Sequence, residues 1–180
     1  LDMTSSRRSY HAPYYGFEFT NYNPKEEISK VPLYKLHGSL NWLYCPACET
    51  MSLTMYEKGA IRLIRPTNDT RDIICSQCES LKESVIIPPT YFKEYSNYFL
   101  NQVWYKAEQD LRRVGKMFFC GYSFPDADIH IKYLLKRIET NRNGKPLKVY
   151  VANGYPSKSP EEKDLERKRY NRFFIQDVNY

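Results

Sequence analysis

Apolar residues recur along this chain with two different periods. Over residues 91–113 they fall at Phe92, Tyr95, Phe99, Val103, Ala107 and Leu111, three or four apart, which predicts a long amphipathic helix with Thr90 as its N-cap. The short apolar run VGKMFFC at residues 114–120 predicts a strand ending at Gly121. Residues 126–140 return to the helical period, with Ala127, Ile131, Leu134, Leu135 and Ile138 on one face, and LKVYVA at residues 147–152 is a second apolar strand. Strand, helix of about four turns and strand make a βαβ unit, so these strands are expected to run parallel with a right-handed crossover. Ser159, Pro160 and Glu162 then supply an N-cap, a proline at the first helical position and a reciprocal glutamate, opening a helix that should fade near Asn171. Phe173, Phe174 and Ile175 are expected to add a last strand.

The first half of the chain is less regular. Residues 1–31 read mostly as loop, although the alternation over residues 15–20 predicts a short strand. Residues 31–44, VPLYKLHGSLNWLY, read as a strand, a turn at His37, Gly38 and Ser39, then a second strand or the entry to a ribbon. Residues 84–87 form a β-rich run stopped by Pro88 and Pro89. Between these, residues 45–78 hold few large apolar side chains outside Ile61, Leu63 and Ile64, too few for an independent core without a staple. No internal repeat or low-complexity tract is evident.

Length and charge narrow the classes. At 180 residues the chain amounts to about 1.2 typical domains, one domain plus a small module. With 42% apolar, 16% aromatic and 27% charged residues, disordered and collagen-like states are excluded. No run approaches the ~18 consecutive apolar residues of a membrane helix, and the leader is polar, so a cytoplasmic location is expected. The net charge of +6 and pI near 9.0 suit an anionic partner, a nucleic acid or a dinucleotide. Much of the excess sits in Lys163, Arg167, Lys168, Arg169 and Arg172, interleaved with acids as on a solvated helix face. Leu1 is not an initiator Met, which points to a processed or partial chain.

The most specific chemical pattern is Cys45-x2-Cys48 and Cys75-x2-Cys78, two knuckles 26 residues apart. Four thiols so spaced can close a tetrahedral zinc site, and a set with no open position is structural rather than catalytic. Two disulfides or an iron–sulfur cluster are the alternative uses. The fifth cysteine, Cys120, ends an apolar strand and is expected to be buried as a small hydrophobe. Among the histidines, His11 and His130 are expected on the surface or in packing roles. His37 stands apart at a strand-to-turn junction, with Gly38 allowing close approach of a ligand.

Leu36-His37-Gly38-Ser39, the two cysteine knuckles, the run from Val85 to Pro88, a strand ending in Gly121-Tyr122-Ser123 and a strand ending in Asn153 together resemble, in order and spacing, the sirtuin-like family. The resemblance covers roughly residues 33–153. It implies an α/β fold, here a partial Rossmann-like parallel sheet with helices and an inserted four-cysteine zinc ribbon. It implies NAD as the small-molecule partner, structural Zn2+ on Cys45, Cys48, Cys75 and Cys78, and His37 as general base at the nicotinamide ribose. Gly121, Tyr122 and Ser123 would match the family's dinucleotide-lining Gly-Thr-Ser turn, Gly38 and Ser39 would lie beside the cofactor, and Asn153 would match the Asn near the adenosine ribose. Asn21, 16 residues before His37, looks like the family's upstream Asn that positions the nicotinamide and the attacking water, at a shorter spacing than expected. Ligand binding at the carboxyl ends of parallel strands agrees with this placement.

Two departures shape the expected function. No Gly-Ala-Gly phosphate turn precedes His37, as in the C-terminal half of a sirtuin-like domain, and additional domains or self-association in the parent protein are expected. The organisation is read as residues 1–44 leader and His-Gly segment, 45–78 ribbon insert and 79–180 Rossmann-like half. The Phe-Gly-Glu segment of protein-deacylating members is replaced by Ile87-Pro88-Pro89-Thr90-Tyr91-Phe92. The wording of residues 36–42 and 121–125 resembles the bacterial branch found in antiphage defence, implying NAD+ hydrolysis. An NAD-dependent deacetylase, a non-catalytic ribbon module binding nucleic acid or a protein, and a degenerate scaffold that binds a nucleotide without turnover stand as alternatives.

Overall fold

The computed structural model describes residues 14–22, 32–54, 59–64, 73–87, 97–142, 144–154 and 158–180. The chain divides into two units, Leu1–Pro88 with Glu94–Tyr105, and Pro89–Lys93 with Lys106–Tyr180.

The first unit is an antiparallel sheet with an aromatic core. Strand β1 (Gly38–Cys45) is central, flanked by β2 (Thr50–Leu53) and β3 (Glu83–Ile86). Trp42 pairs with Leu53, and Gly38 with Ile86, with an irregularity between Ser39 and Leu43. Trp42 is fully buried, ringed edge-on by Tyr15 at 5.3 Å and Phe17 at 5.0 Å. The alternation over residues 15–20 is therefore a burial pattern: Tyr15, Phe17 and Phe19 enter the core while Glu18 and Thr20 face solvent. The expected strand is reduced to a single bridge between Phe19 and Tyr22, because Thr20 instead donates its N–H to the Met51 carbonyl at 2.9 Å. Among the described residues of the insert, Met51 and Leu53 of β2 pack into the same cluster as Trp42. Residues Gly59–Ile64 of the insert form a short helix, α1.

Helix α2 runs Tyr98–Leu111. Its expected start, including Thr90, lies outside the described residues. Asn97 supplies the cap, its Oδ1 accepting the N–H groups of Phe99 at 3.0 Å and Leu100 at 3.2 Å.

The second unit holds the parallel sheet expected from the sequence. Strand β4 (Lys116–Cys120), helix α3 (Ile129–Thr140) and strand β5 (Lys148–Ala152) form the βαβ unit, paired in parallel from Lys116 with Lys148 to Cys120 with Ala152. Helix α4 (Pro160–Phe173) begins with the full capping box, Ser159 Oγ accepting from the Glu162 N–H and Glu162 Oε2 accepting from the Ser159 N–H at 2.8 Å. The helix runs past Asn171. The expected strand at residues 173–175 is replaced by this last turn and its C-cap Phe174, which is buried, and the final strand β6 (Val178–Asn179) adds parallel to β5. Two aromatic residues in a row at 173 and 174 thus serve a core rather than a sheet. That core centres on Phe124, fully buried with the rings of Tyr170 at 4.6 Å and Phe173 at 4.9 Å. Arg142, 7% exposed, fastens the sheet's lower loops by donating to the carbonyls of Val114, Lys145, Arg112 and Pro146.

Cys120 corrects the sequence expectation. It is exposed, because the face of β4 that carries Lys116, Phe118 and Cys120 is the uncovered one. Phe118 and Tyr150 stack on that face at 4.7 Å. Among the described residues no helix is long and apolar enough to cross a membrane.

Candidate functional site

The four ribbon cysteines converge. Cys45 closes β1, Cys48 follows in the turn to β2, and the second knuckle is pinned by an antiparallel bridge between Ile74 and Leu81. The Sγ atoms all lie within 4.8 Å of one another, with Cys45 and Cys78 at 3.5 Å and Cys48 and Cys75 at 4.0 Å. A tetrahedron of thiolates 2.3 Å from one zinc ion has edges of about 3.8 Å, so the set fits a single tetrahedral ion. Those spacings are far beyond the ~2.05 Å of a disulfide, and all four thiols are free.

The two knuckles differ in their electrostatics. Hydrogen bonds from the backbone N–H groups of Gln77 and Cys78 pull the Cys75 thiol down, and the Ser80 hydroxyl pulls Cys78 down to about 6. The pressure on the first knuckle is upward: burial raises Cys45, and the neighbouring Cys78 sulfur pushes Cys48 to about 12. Four sulfurs this close cannot all be anions unless a positive ion sits among them. Each knuckle is followed by a glutamate with left-handed backbone, Glu49 at φ 52° and Glu79 at φ 59°. The two segments, CPACE and CSQCE, thus share one backbone device.

His37 immediately precedes β1. Its Nδ1 lies 3.2 Å from the Ile87 carbonyl, and its own carbonyl accepts the Ile87 N–H at 2.9 Å. A carbonyl only accepts, so the proton of a neutral imidazole resides on Nδ1 and the Nε2 lone pair is left for chemistry. On the other side Trp104 Nε1 donates to the Leu36 carbonyl at 2.9 Å. Gly38 is demanded by the sheet: φ is 78°, and a Cβ there would stand 1.8 Å from the Val85 carbonyl oxygen. The close approach for which a glycine is needed is to β3. Ser39 is engaged within the chain, accepting from Lys35 Nζ at 2.8 Å and donating to Asn41 Oδ1 at 2.5 Å. Burial lowers the Lys35 ammonium from its usual range.

Asn21 is a clamp on the sheet edge. Its Nδ2 donates to the Leu53 carbonyl at 2.8 Å and its Oδ1 accepts the Leu53 N–H at 2.9 Å, so the side-chain amide mimics a strand residue.

In the second unit the predicted dinucleotide residues meet at the carboxyl ends of β4 and β5. Gly121 has φ 66° and donates to the Ala152 carbonyl at 3.2 Å. Asn153 grips the backbone of Tyr122 on both sides, Oδ1 accepting the Tyr122 N–H at 3.1 Å and Nδ2 donating to the Tyr122 carbonyl at 2.7 Å. Tyr170 donates its hydroxyl to the same carbonyl at 2.6 Å, and Arg169 reaches the Ser123 carbonyl at 3.5 Å. The Tyr122 phenol donates to Asp128 Oδ2 at 2.8 Å, and burial together with that carboxylate holds its pKa far above the usual range. Asn153 also donates to buried Glu166, which holds Lys158 through its other oxygen. Glu166, Tyr170 and Lys158 were not singled out from sequence. Their signal is weak there, since two lie inside a charged helix that reads as solvated.

A family model described as the SIR2-like domain matches residues 4–175. Among solved structures, the chain is similar to a Sir2 structure with p53 peptide and NAD+, at 17% identity and TM-score 0.43, covering 84% of this chain and 50% of that one. It is similar also to a Sir2 complex with the inhibitor EX-527, 2′-O-acetyl-ADP-ribose and deacetylated p53 peptide, at 18% identity and TM-score 0.44, covering 84% and 51%. The chain thus spans about half the length of these structures. No curated protein matches it. Since the family model runs across nearly the whole chain, and the four-cysteine cluster and parallel βαβ sheet accompany it, the chain belongs to the SIR2-like, sirtuin-like family.

Proposed function

We propose that this chain is part of an enzyme that hydrolyses NAD+ to nicotinamide and ADP-ribose, with His37 as the general base. The observation that carries the reading is the Nδ1 contact with the Ile87 carbonyl, which leaves Nε2 as the basic nitrogen. A neutral Nε2 can take a proton from a hydroxyl of the nicotinamide ribose, making the ring more electron-rich as the bond from C1′ to the nicotinamide nitrogen breaks. Nicotinamide leaves with the bond electrons, neutralising its pyridinium charge. Water adds at C1′ and releases one proton, so NAD+ and water become nicotinamide, ADP-ribose and H+. Gly121, Tyr122, Ser123 and Asn153 would shape the dinucleotide-binding turn. In this role Asn153 acts by fixing the Tyr122 backbone, since both ends of its amide are already engaged there. Ser39 and Gly38 would set the approach to His37. Asn21 enters the proposal as a fastener of β2 rather than a catalyst.

Zinc is the ion that best fits four thiolates at these separations, and its role would be to hold the ribbon closed. The replacement of Phe-Gly-Glu after the ribbon favours hydrolysis over lysine deacylation. The resemblance of residues 36–42 and 121–125 to the bacterial antiphage branch carries the reading to a cytoplasmic defence role. The test is to incubate the full-length natural protein with NAD+, with and without an acetylated lysine peptide. Nicotinamide and ADP-ribose should appear in equal amounts at a rate the peptide does not change. Turnover that requires the peptide and yields an acetylated ADP-ribose would overturn hydrolysis in favour of deacylation.

A further inference from the structure

A cleft of about 330 Å3 opens at the carboxyl end of β5, lined by Asn153, Lys158, Lys163, Glu166, Arg167 and Tyr180 among others. It lies wholly within the second unit. In dinucleotide-binding sheets an acidic side chain near such a strand end bonds the 2′-hydroxyl of the adenosine ribose, whereas a cation there accommodates a 2′-phosphate. Among the described side chains lining this cleft Glu166 is the one carboxylate, and it is engaged within the protein. Its side chain is 8% exposed, Oε1 accepts from Asn153 and Oε2 from Lys158. Asn153 is in turn fixed on the Tyr122 backbone. The polar groups that would read a ribose hydroxyl are therefore already engaged within the protein.

Lys163 and Arg167 remain, one helical turn apart on α4 and both exposed. Three cations against one carboxylate leave the lining two positive charges in excess. The Arg167 guanidinium lies over the Tyr180 ring, 5.0 Å from its centroid, which orders it at the rim. Of the other cations of the same helix, Lys168 is directed to Asp164 at 2.7 Å and Arg169 to the Ser123 carbonyl.

We propose that this cleft receives a 2′-phosphorylated adenosine, so that the preferred substrate is the phosphorylated dinucleotide NADP+ with Lys163 and Arg167 as its specificity residues. The inference rests on the reading of the chain as part of a dinucleotide-consuming enzyme. Calorimetric titration of the zinc-loaded full-length protein with NADP+, NAD+ and ATP separates the two. NADP+ should bind at least about tenfold more tightly than NAD+, as expected for a phosphate met by charged donors. ATP should bind more weakly than NADP+. In the Lys163→Gln, Arg167→Gln double variant the two dinucleotides should bind equally. Equal binding by the unaltered protein, a preference that survives the double variant, or ATP binding as tightly as NADP+ overturns the 2′-phosphate assignment and leaves the dinucleotide reading standing. Binding of neither dinucleotide overturns both.

Discussion

The turn that carries His37 and the turn that carries Gly121 are held by different kinds of bond. The first rests mainly on main-chain pairing, the Ile87 N–H on the His37 carbonyl and Gly38 against β3, with one side-chain bond each from His37 to Ile87 and from Trp104 to the Leu36 carbonyl. The second has one main-chain bond, from the Gly121 N–H to the Ala152 carbonyl, and otherwise rests on side chains, with Asn153 and Tyr170 on the backbone of Tyr122 and Arg169 on the Ser123 carbonyl. A main-chain frame tolerates changes of side chain and fails when the backbone is obstructed. A side-chain frame does the reverse, loosening stepwise as each partner is removed. This difference also sorts the two asparagines. Asn21 and Asn153 make the same two-ended amide contact, one on a sheet edge and one on the strand-end turn proposed to cradle the dinucleotide.

The largest effect should come from removing the zinc proposed for the four cysteines. Structural zinc contributes on the order of 10 kcal/mol to folding in small modules. Stripping it with a chelator should therefore abolish amide protection in β1, β2 and β3 while β4, α3 and β5 keep theirs, as read by hydrogen exchange. Equal loss in both units would erase the contrast between a stapled sheet and a self-sufficient βαβ core. Next, Gly38→Ala forces a Cβ to 1.8 Å from the Val85 oxygen in a left-handed conformation, and should cost about 3 kcal/mol or more in a denaturant melt. Gly121→Ala, strained by its φ of 66°, should cost about 1–2 kcal/mol. A reversed order would show that backbone obstruction does not govern the first turn.

Asn153→Ala leaves the Tyr122 N–H and one oxygen of buried Glu166 without their partner, for about 2 kcal/mol, and Tyr170→Phe should cost about 1 kcal/mol. Both should loosen the second turn without affecting amide protection around His37. The smallest change, Ser159→Ala, removes half of the capping box and should lower stability by about 1 kcal/mol without altering either turn.

How much of this was legible in the sequence depended on whether the signal was periodic. The βαβ unit, the capping box and the cysteine pairs are local patterns with fixed spacing, and each has its counterpart in the fold. The strands expected at residues 15–20 and 173–175 failed for one reason: aromatic residues close together reported burial around Trp42 and Phe124, and burial does not specify pairing. Cys120 was misplaced because apolarity predicts a buried strand but cannot say that one face of the sheet is bare. The role of Glu166 could not be read, since its partners Asn153 and Lys158 are 13 and 8 residues distant and nothing in a charged helix marks the acid that turns inward. His37 was picked out by its glycine neighbour, yet that glycine answers to Val85, and the Ile87 carbonyl that sets its tautomer lies 50 residues away.

The proposed role of His37 as the base calls for one measurement above others: NAD+ consumption by the full-length natural protein beside its His37→Ala variant, with zinc content and thermal melting followed on both. Turnover should fall about 10²–10⁴-fold, with zinc and melting temperature retained. Undiminished turnover in a folded, zinc-loaded variant would contradict it.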